Sequence, residues 1–363
     1  MENVKICYDR VLSDEQFNQA ARLSVDENTA NIPLLPESLL DGGSIFDMKV
    51  ELAAEERWLW KPGRVLRCRF MGGDPAVQSK VEAVAHQWEA YANIKFAFGI
   101  DPDAEIRIAF INGAGSWSYL GMQALVIAKD QPTMNYGWLT PQSSDLEYNR
   151  VVLHEFGHAL GCIHEHQNPS VDIPWDKPEV YRYYGGPPNN WPPEKVDTNL
   201  FKKYSAASTQ FSEFDRESIM LYPIDNRLTT GDYEVGWNRN LSEVDREFIN
   251  VFYPFEGKPE ERLILDEEPV EASIGVHGEE DIFTFQIGVA GTYTIETAGP
   301  TDVNMGLYGP DDATNQIAFD EDSGQSLNAK ITRELARGSY RVRVRHFRPR
   351  GTGNYSVTLR SGQ

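Results

Sequence analysis

The segment His154–His166 constrains the fold and chemistry of this 363-residue chain more than any other stretch. His154 and His158 are four residues apart, so on a helix their imidazole rings project from one face, one turn apart. Two ring nitrogens placed in this way can bind one metal ion. Gly161 can adopt the left-handed conformation that ends a helix, which lets the chain turn and bring His164 in as a third ligand.

This spacing of histidines predicts a catalytic zinc site. Three protein nitrogens leave the fourth position of a tetrahedral zinc ion open for water, as in catalytic rather than structural sites. Glu155 follows the first ligand, where its carboxylate can face the metal-bound water without binding the metal. A single histidine is more often an ordinary core or surface residue, but four histidines lie between positions 154 and 166 here. We therefore predict one Zn²⁺ ion on His154, His158 and His164.

Composition limits the partners that this chain can have. A net charge of −21 disfavours nucleic acid or an anionic membrane surface, because both are polyanions. No stretch approaches 18 apolar residues, so we predict no membrane span, and we expect a monomer. Three widely spaced cysteines imply no disulfide framework, and the first residues lack the apolar core of a signal peptide. Taken alone, these facts fit a reducing compartment or an already trimmed sequence.

Hydrophobic periodicity and turn residues predict the order of elements in the first 255 residues. Asp74 and Pro75 favour the start of a helix. Ser242 is a predicted N-cap. The resulting α/β order comprises a helix near Asp14–Asp26, a strand at Val65–Phe70, a helix to Tyr91, strands at Ile94–Phe98, Ile106–Phe110 and Leu125–Ala128, the metal-binding helix Asp145–Leu160 and a last helix to about Tyr253.

The remaining segments are predicted from composition. Residues 165–215 are rich in proline and aromatic residues, which indicates an ordered but irregular lobe. Residues 256–268 have the composition of a linker. Short alternating segments then predict a small all-β sandwich over residues 269–363, with strands at Asp281–Ile287, Gly291–Thr297, Asn304–Tyr308, Gln316–Asp320, Ser339–His346 and Asn354–Leu359.

A second informative stretch is Ser218–Tyr222. On its own, Met220 is more often ordinary core filler. Together with the three histidines, it is typical of a tight turn beneath a metal, in which the methionine forms an apolar floor. Tyr222 would then direct its phenol toward the zinc, and the alternative is a half-buried core tyrosine.

Three motifs together resemble the astacin-like metzincin zinc peptidases. The run His164–Pro169 is similar to the astacin continuation after the third histidine, with Glu165 as the residue that distinguishes this family. Gly115–Gly121 and Leu241–Asp245 are similar to further astacin motifs. The resemblance covers about residues 55–255 and implies an α/β (α+β) metzincin catalytic domain. Serralysins, which carry proline at the position of Glu165, are less similar.

The resemblance implies a zinc-dependent endopeptidase. Glu155 is the implied general base for a zinc-activated water, and it then delivers the proton to the leaving amine. Tyr222 is the implied fifth, displaceable zinc ligand, which swings away to stabilise the developing oxyanion. Met220 is the implied methionine of the turn below the metal. Glu165 is implied to contact the new amino terminus once a pro-segment has been removed.

Two departures from the family pattern bear on regulation. Ser116 stands where astacins usually have cysteine, and the family's disulfides are missing, so an oxidising compartment is not demanded. Residues 1–54 are a possible pro-segment, or equally a permanent part of the domain. Three weak candidates could cap the zinc from this segment, namely Cys7, Asp41 and Asp47.

The last domain resembles the bacterial pre-peptidase C-terminal domain through Asp281–Phe285, Gly291–Tyr293 and Gly338–Val342. Such domains accompany secreted proteases, so the resemblance favours an extracellular protein, with a cytoplasmic one as the alternative. The acidic residues 320–322 are a weak candidate for Ca²⁺, and a solvated acidic turn is the more common explanation.

Two other functions remain open from the sequence. The chain could be a zinc-binding protein without turnover that acts through its β-sandwich, or a zinc hydrolase of a small amide. Glu155 and Tyr222 disfavour the first. The long lobe at 165–215 disfavours the second, because it favours a groove for an extended chain. We therefore expect a protein or peptide substrate.

Overall fold

The computed structural model describes residues 7–28, 31, 58–187, 189–203, 214–255, 260–275, 279–348 and 351–362. The chain divides into two compact units. The first contains residues 7–28 and the described residues from 58 to 255, and the second contains the described residues from 260 onward. No helix in the described ranges is long and apolar enough to cross a membrane.

A five-stranded sheet organises the first unit. The strands lie in the order β2-β1-β3-β5-β4, and only β4 runs antiparallel to its neighbour. The short strand β4 thereby forms one edge of the sheet. The bounds are Val65–Phe70 (β1), Lys95–Gly99 (β2), Ile106–Ala109 (β3), Trp117–Ser118 (β4) and Met134–Asn135 (β5).

The predicted strand at Leu125–Ala128 is wrong. Its first two residues belong to a 3₁₀ turn, Gly121–Val126. Gly121 has φ +40°, and a Cβ there would overlap the carbonyl oxygen of Trp58, so only glycine allows this approach. Met122 then donates its N–H to the Trp58 carbonyl (3.0 Å). The start of this 3₁₀ turn is thus bonded to Trp58 rather than to a strand.

Six described helices accompany the sheet in the first unit. The predicted helices at 14–26, 74–91, 145–160 and 242–253 are confirmed, with small differences at their ends. The region 165–215 is more regular than predicted, since it contains two helices and a π-helical turn at Asp197–Phe201. The bounds are Asp14–Glu27 (α1), Pro75–Ala85 (α2), Asp145–Ala159 (α3), Lys177–Gly185 (α4), Pro193–Val196 (α5) and Glu243–Phe252 (α6).

The helix α3 is held against the sheet by a fully buried apolar face. Val152 and Phe156 on α3 are completely shielded from solvent, as is Leu66 on β1. The rings of Phe96 and Phe156 meet edge to face with centroids 4.9 Å apart. Each such side chain contributes about 1.5–3 kcal/mol when buried. The core therefore fixes the helix that carries the first two predicted ligands.

The carboxyl end of α3 is tied to two distant residues. Trp60 donates its indole N–H to the carbonyl of Ala159 (2.8 Å). Tyr253 donates its hydroxyl to the carbonyl of Leu160 (2.6 Å) and accepts the backbone N–H of Trp60 (3.2 Å). These bonds satisfy carbonyls that a helix end leaves without partners. They also position the chain that leads to His164.

The second unit consists of two sheets, in which most strand pairs are antiparallel, around one apolar core. The sheet orders are β11-β10-β13-β8-β6 and β12-β9-β14-β7. Phe283, Ile295, Val342 and Val357 are among the buried core residues. The strands are Glu261–Arg262 (β6), Val270–Ile274 (β7), Glu280–Ile287 (β8), Gly291–Ala298 (β9), Val303–Tyr308 (β10), Gln316–Asp320 (β11), Lys330–Leu335 (β12), Gly338–His346 (β13) and Gly353–Ser361 (β14).

The structure differs from the expected strands of this unit in three places. The strand β6 lies inside the segment predicted as a linker and pairs with β8. The strands β7 and β12 were not predicted. The carboxylate of Asp320, a weak calcium candidate, accepts the backbone N–H groups of Ser323 (3.0 Å) and Lys330 (2.8 Å).

Candidate metal centre and active site

The helix α3 and the turn that follows it place the three predicted histidine ligands. Ser144 caps the helix by accepting the backbone N–H of Glu147 (3.2 Å). At the other end Gly161 has φ +93°, and Cys162 N–H donates to the carbonyl of Gly157 (2.9 Å). This left-handed glycine ends the helix and reverses the chain toward His164.

The imidazoles of His154, His158 and His164 converge, and all three are buried. The Nε2 atoms of His158 and His164 are 3.1 Å apart. The Nδ1 atom of His154 lies 2.7 Å from the carbonyl oxygen of Ile219, and that of His158 lies 2.8 Å from the carbonyl oxygen of Cys162. These carbonyls favour the tautomer that leaves Nε2 free to bind a metal.

Cys7 completes a group of four potential ligands. Its sulfur lies 2.7 Å from His154 Nε2, 3.0 Å from His164 Nε2 and 3.7 Å from His158 Nε2. The four donor atoms lie within 4.8 Å of one another. Three imidazole nitrogens and one sulfur are a donor set that suits tetrahedral zinc. Asp41 and Asp47, the other two candidates to cap the zinc, lie outside the described residues.

Cys7 reaches the histidines because the residues around it lie along the edge of the sheet. Cys7 and Ser116 form a parallel bridge, and Tyr8 donates its backbone N–H to the Ser116 carbonyl (3.3 Å). The hydroxyl of Tyr8 donates to the carbonyl of Ala114 (3.1 Å). The ammonium nitrogen of Lys195 lies 3.6 Å from the centroid of the Tyr8 ring. The chain beside Cys7 therefore occupies the cleft next to β4.

Tyr222 faces the same group of ligands from the other side. Its hydroxyl donates to the Cys7 carbonyl (2.8 Å) and lies 3.4 Å from the Cys7 sulfur. Its ring lies beside those of His164 and His166, with centroid distances of 4.3 and 4.5 Å. Tyr222 is 3% exposed, so the phenol meets the site rather than solvent.

The turn that carries Met220 is anchored by Asp245. Ser218 donates its hydroxyl to one carboxylate oxygen of Asp245 (2.7 Å), and Ile219 donates its backbone N–H to the other (2.8 Å). Asp245 also accepts the backbone N–H of Ser242 (2.9 Å) in the capping box of α6. The role of Asp245 at the turn was missed by the sequence analysis. The Ser242–Asp245 spacing, typical of a capping box, was the available signal.

Glu155 lies beside the ligands at the base of a small pocket. It is 1% exposed, and its Oε2 atom has no hydrogen-bond partner among the described residues. Burial raises the pKa of Glu155 well above its usual value, and the nearby charge of Arg150 opposes this shift. The pocket is also lined by Trp138, Trp237, Leu221 and Pro223. The carboxyl group of Glu155 is therefore desolvated, and it lines the same pocket as Cys7 and His154.

The electrostatic environment keeps the histidines neutral. Burial lowers the pKa of His158 to about 3, and the nearby His164 adds to this shift. Burial also lowers the pKa values of His154 and His164 well below the usual value. Neutral imidazole is the form that binds metals. Burial raises the pKa of the Cys7 thiol, whereas coordination to a metal cation favours the thiolate.

Glu165 does not face the metal ligands. Its carboxylate accepts the backbone N–H of Asp215 (2.9 Å) and the side-chain amide of Asn168 (3.2 Å). Burial raises the pKa of Glu165 to about 8. The end of the possible pro-segment 1–54, where the new amino terminus would form, lies outside the described residues.

The sequence, fold and site define the class of this protein. The model of the astacin peptidase family matches residues 53–254, which is more than half of the chain. The chain belongs to the astacin family, and it is a zinc metalloendopeptidase.

Several solved structures are similar to parts of this chain. One structure of myroilysin is 50% identical, covers 55% of this chain and 97% of its own, and has a TM-score of 0.54. A second structure of myroilysin is 44% identical, covers 61% of this chain and 98% of its own, and has a TM-score of 0.45. The pre-peptidase C-terminal domain of a collagenase from Bacillus anthracis is 20% identical over 29% of this chain and 99% of its own, with a TM-score of 0.24.

Proposed function

We propose that this protein is a latent zinc endopeptidase in which Glu155 is the general base and Cys7 occupies the position of the catalytic water. The observation that carries the proposal is the convergence of the Cys7 sulfur with the Nε2 atoms of His154, His158 and His164. One position on the metal cannot hold a thiolate and a water at once. A chain with Cys7 in place is therefore inactive until this residue leaves.

The three histidines would bind the zinc, and Glu155 would accept and then donate the proton. Zinc at this site supplies a Lewis acid that makes a bound water a nucleophile near neutral pH. Glu155 follows a ligand on α3 and is buried beside it, so its carboxylate can take the proton of the attacking water. The raised pKa of Glu155 lets the same group return the proton to the leaving amine.

Tyr222 would stabilise the charge that develops on the substrate oxygen. Its hydroxyl already donates a hydrogen bond to the Cys7 carbonyl, only 3.4 Å from the capping sulfur. Once Cys7 has left, this donor faces the position in which the peptide carbonyl is attacked. A donor that is already positioned costs little reorganisation in the transition state.

The substrate would bind as an extended chain along β4. The backbone N–H of Tyr8 already pairs with the carbonyl of Ser116 at this edge, which supports a peptide-binding role for it. Addition of a strand to a free sheet edge is a common mode of peptide recognition. The small pocket beside Glu155, which is lined by Trp138, Trp237 and Cys7, would widen once Cys7 leaves and then receive a side chain next to the cleaved bond.

Residues 7–28, hereafter the N-terminal segment, would be the inhibitory part of a pro-segment. Glu27 forms an ion pair with Arg64, and Asn28 donates its side-chain amide to the Trp60 carbonyl (2.9 Å). We therefore keep the proposed division into 1–54 as pro-segment, 55–255 as catalytic domain, 256–268 as linker and 269–363 as β-sandwich. We also propose an extracellular location, as the family resemblance implies.

The test is cleavage of casein and of quenched peptides by the full chain, before and after limited proteolysis. Mass spectrometry would locate the new amino terminus. We expect activity only after the N-terminal segment is removed. That activity should be lost with a chelator, restored by zinc and abolished by Glu155→Gln. Glu247→Gln, an exposed change on α6, is the matched control. Trimmed protein that retains zinc but cleaves nothing would sink the proposal and favour a binding role.

A further inference from the structure

The three metal-binding histidines differ in what accepts the proton on their second ring nitrogen. His154 and His158 each face a backbone carbonyl from the catalytic unit, that of Ile219 or Cys162. The Nδ1 atom of His164 is buried and makes no aligned hydrogen bond to any acceptor among the described residues. Instead, a carboxylate oxygen of Asp9 lies 3.2 Å away.

A hydrogen bond from the backbone of Asp9 anchors the residue at this position. Its N–H donates to the side-chain oxygen of Asn199 (2.8 Å), and the amide of Asn199 donates in turn to the carbonyl of Lys195 (2.8 Å). Asn199 is 2% exposed and lies in the π-helical turn Asp197–Phe201. The backbone of Asp9 is therefore anchored by Asn199, and its carboxylate faces His164, with the side chain of Gln167 as a second neighbour.

We propose that Asp9 is a positioning residue of the metal centre, whose carboxylate orients His164 and strengthens its bond to zinc while the N-terminal segment is docked. This inference rests on the proposed zinc site with Cys7 as fourth ligand. A carboxylate that accepts the N–H of a ligating histidine fixes the tautomer and makes the ring a better donor. The N-terminal segment thus supplies two parts of the centre, a ligand from Cys7 and this carboxylate.

Removal of the N-terminal segment would then change how strongly His164 binds the zinc, as well as uncover the metal. His164 would lose a charged acceptor, and its remaining hydrogen-bonding neighbour is the neutral side chain of Gln167. The Oε1 atom of Gln167 is buried and has no partner among the described residues, so it is available for this role. A ring bonded to an amide donates less electron density than one bonded to a carboxylate. The trimmed protein should therefore hold zinc less tightly and leave it a stronger Lewis acid.

The test compares zinc binding by three full-length proteins. These are the wild type, Asp9→Asn and Asp14→Asn, an exposed change of equal charge at the start of α1. Asp9→Asn keeps the size of the side chain and the backbone bond to Asn199. Zinc affinity is measured by competition with a chromophoric chelator. The cobalt-substituted proteins are examined for the thiolate-to-cobalt absorption band that reports Cys7 as a ligand.

We expect Asp9→Asn to bind zinc about 10- to 100-fold more weakly than the other two proteins, with the thiolate band retained. Equal affinity in all three proteins would overturn the inference. Loss of the thiolate band along with affinity would also overturn it, because Asp9 would then act only by keeping the segment docked. If wild-type cobalt protein shows no thiolate band, the capping of zinc by Cys7 fails before the variants are compared.

Discussion

The sulfur atom of Met220 packs directly against Gly157, the residue before the predicted ligand His158 on α3. A Cβ at position 157 would overlap this sulfur and would also meet the ring of Trp88 at 3.3 Å. Glycine at position 157 thus allows the methionine turn to approach the helix, and the metal site rests on this contact.

We expect Gly157→Ala to destabilise the zinc-loaded protein by about 1–3 kcal/mol, the range for overpacking a core. Alanine is the better helix former by about 1 kcal/mol, so the clash must outweigh that gain. Thermal and urea unfolding would measure the change. In a double-mutant cycle with Met220→Ala, the clash should be relieved, and strictly additive effects would contradict the contact.

Replacing Cys7 should activate the full chain without proteolysis. Cys7→Ser and Cys7→Ala remove the thiolate that blocks the water position. We expect peptidase activity to rise more than about tenfold, which corresponds to a loss of about 1.4 kcal/mol from the free energy that keeps the site closed. Cys162→Ser is the matched control, because that cysteine is not among the four converging donors. Equal activity of the wild type and both Cys7 variants would show that Cys7 does not control access.

Tyr8 should limit how often the N-terminal segment opens. Tyr8→Ala removes the ring below Lys195, a contact of about 0.5–2 kcal/mol, and the hydroxyl bond to Ala114. We expect a thiol reagent to label Cys7 about 10- to 100-fold faster, as measured by mass spectrometry of the labelled peptide. Tyr8→Phe keeps the ring and should lie between the two. Unchanged labelling in Tyr8→Ala would mean that other contacts of the segment, such as the bond from Asp9 N–H to Asn199, keep it closed.

Without metal, the protein should lose stability as the pH falls below about 6.5. Burial lowers the pKa of His158 to about 3, so between these pH values the unfolded chain binds a proton that the folded chain excludes. The free energy of unfolding therefore rises with pH across this window. Urea unfolding of chelator-treated wild type and His158→Asn would measure it. The free energy of unfolding should depend less steeply on pH in the variant than in the wild type. Equal slopes would contradict the lowered pKa of His158.

The parts of this protein that were predictable are those set by nearby residues. The helix Asp145–Ala159 follows from its N-cap, its apolar face and the glycine that ends it, so local geometry was enough to place the two histidines predicted as metal ligands on one helix. The two-residue strands at Trp117–Ser118 and Met134–Asn135 show no alternation that a pattern could detect. Leu125–Ala128 has the composition of a strand, but its first two residues lie in a 3₁₀ turn that begins beside Trp58.

The contacts that control the site were harder to predict because they join distant parts of the chain. Cys7 is 147 residues from His154, and no periodicity relates the two. Cys7 was one of three residues in the possible pro-segment that could cap the zinc, and nothing in the sequence favoured it over the other two. Asp9 carried no signal at all, since its role depends on a ring nitrogen that only the folded chain brings near.

The ion pair between Glu27 and Arg64 has a consequence for the timing of activation. While the chain is intact, Cys7 is a tethered inhibitor whose effective concentration at the metal is set by the tether and not by the amount of protein. A single cut between residues 28 and 58 turns it into a separate peptide, held by noncovalent contacts that include those of α1 and this ion pair. Activity should therefore appear with a lag set by dissociation of this peptide, and dilution should raise the final activity because it prevents the released peptide from rebinding.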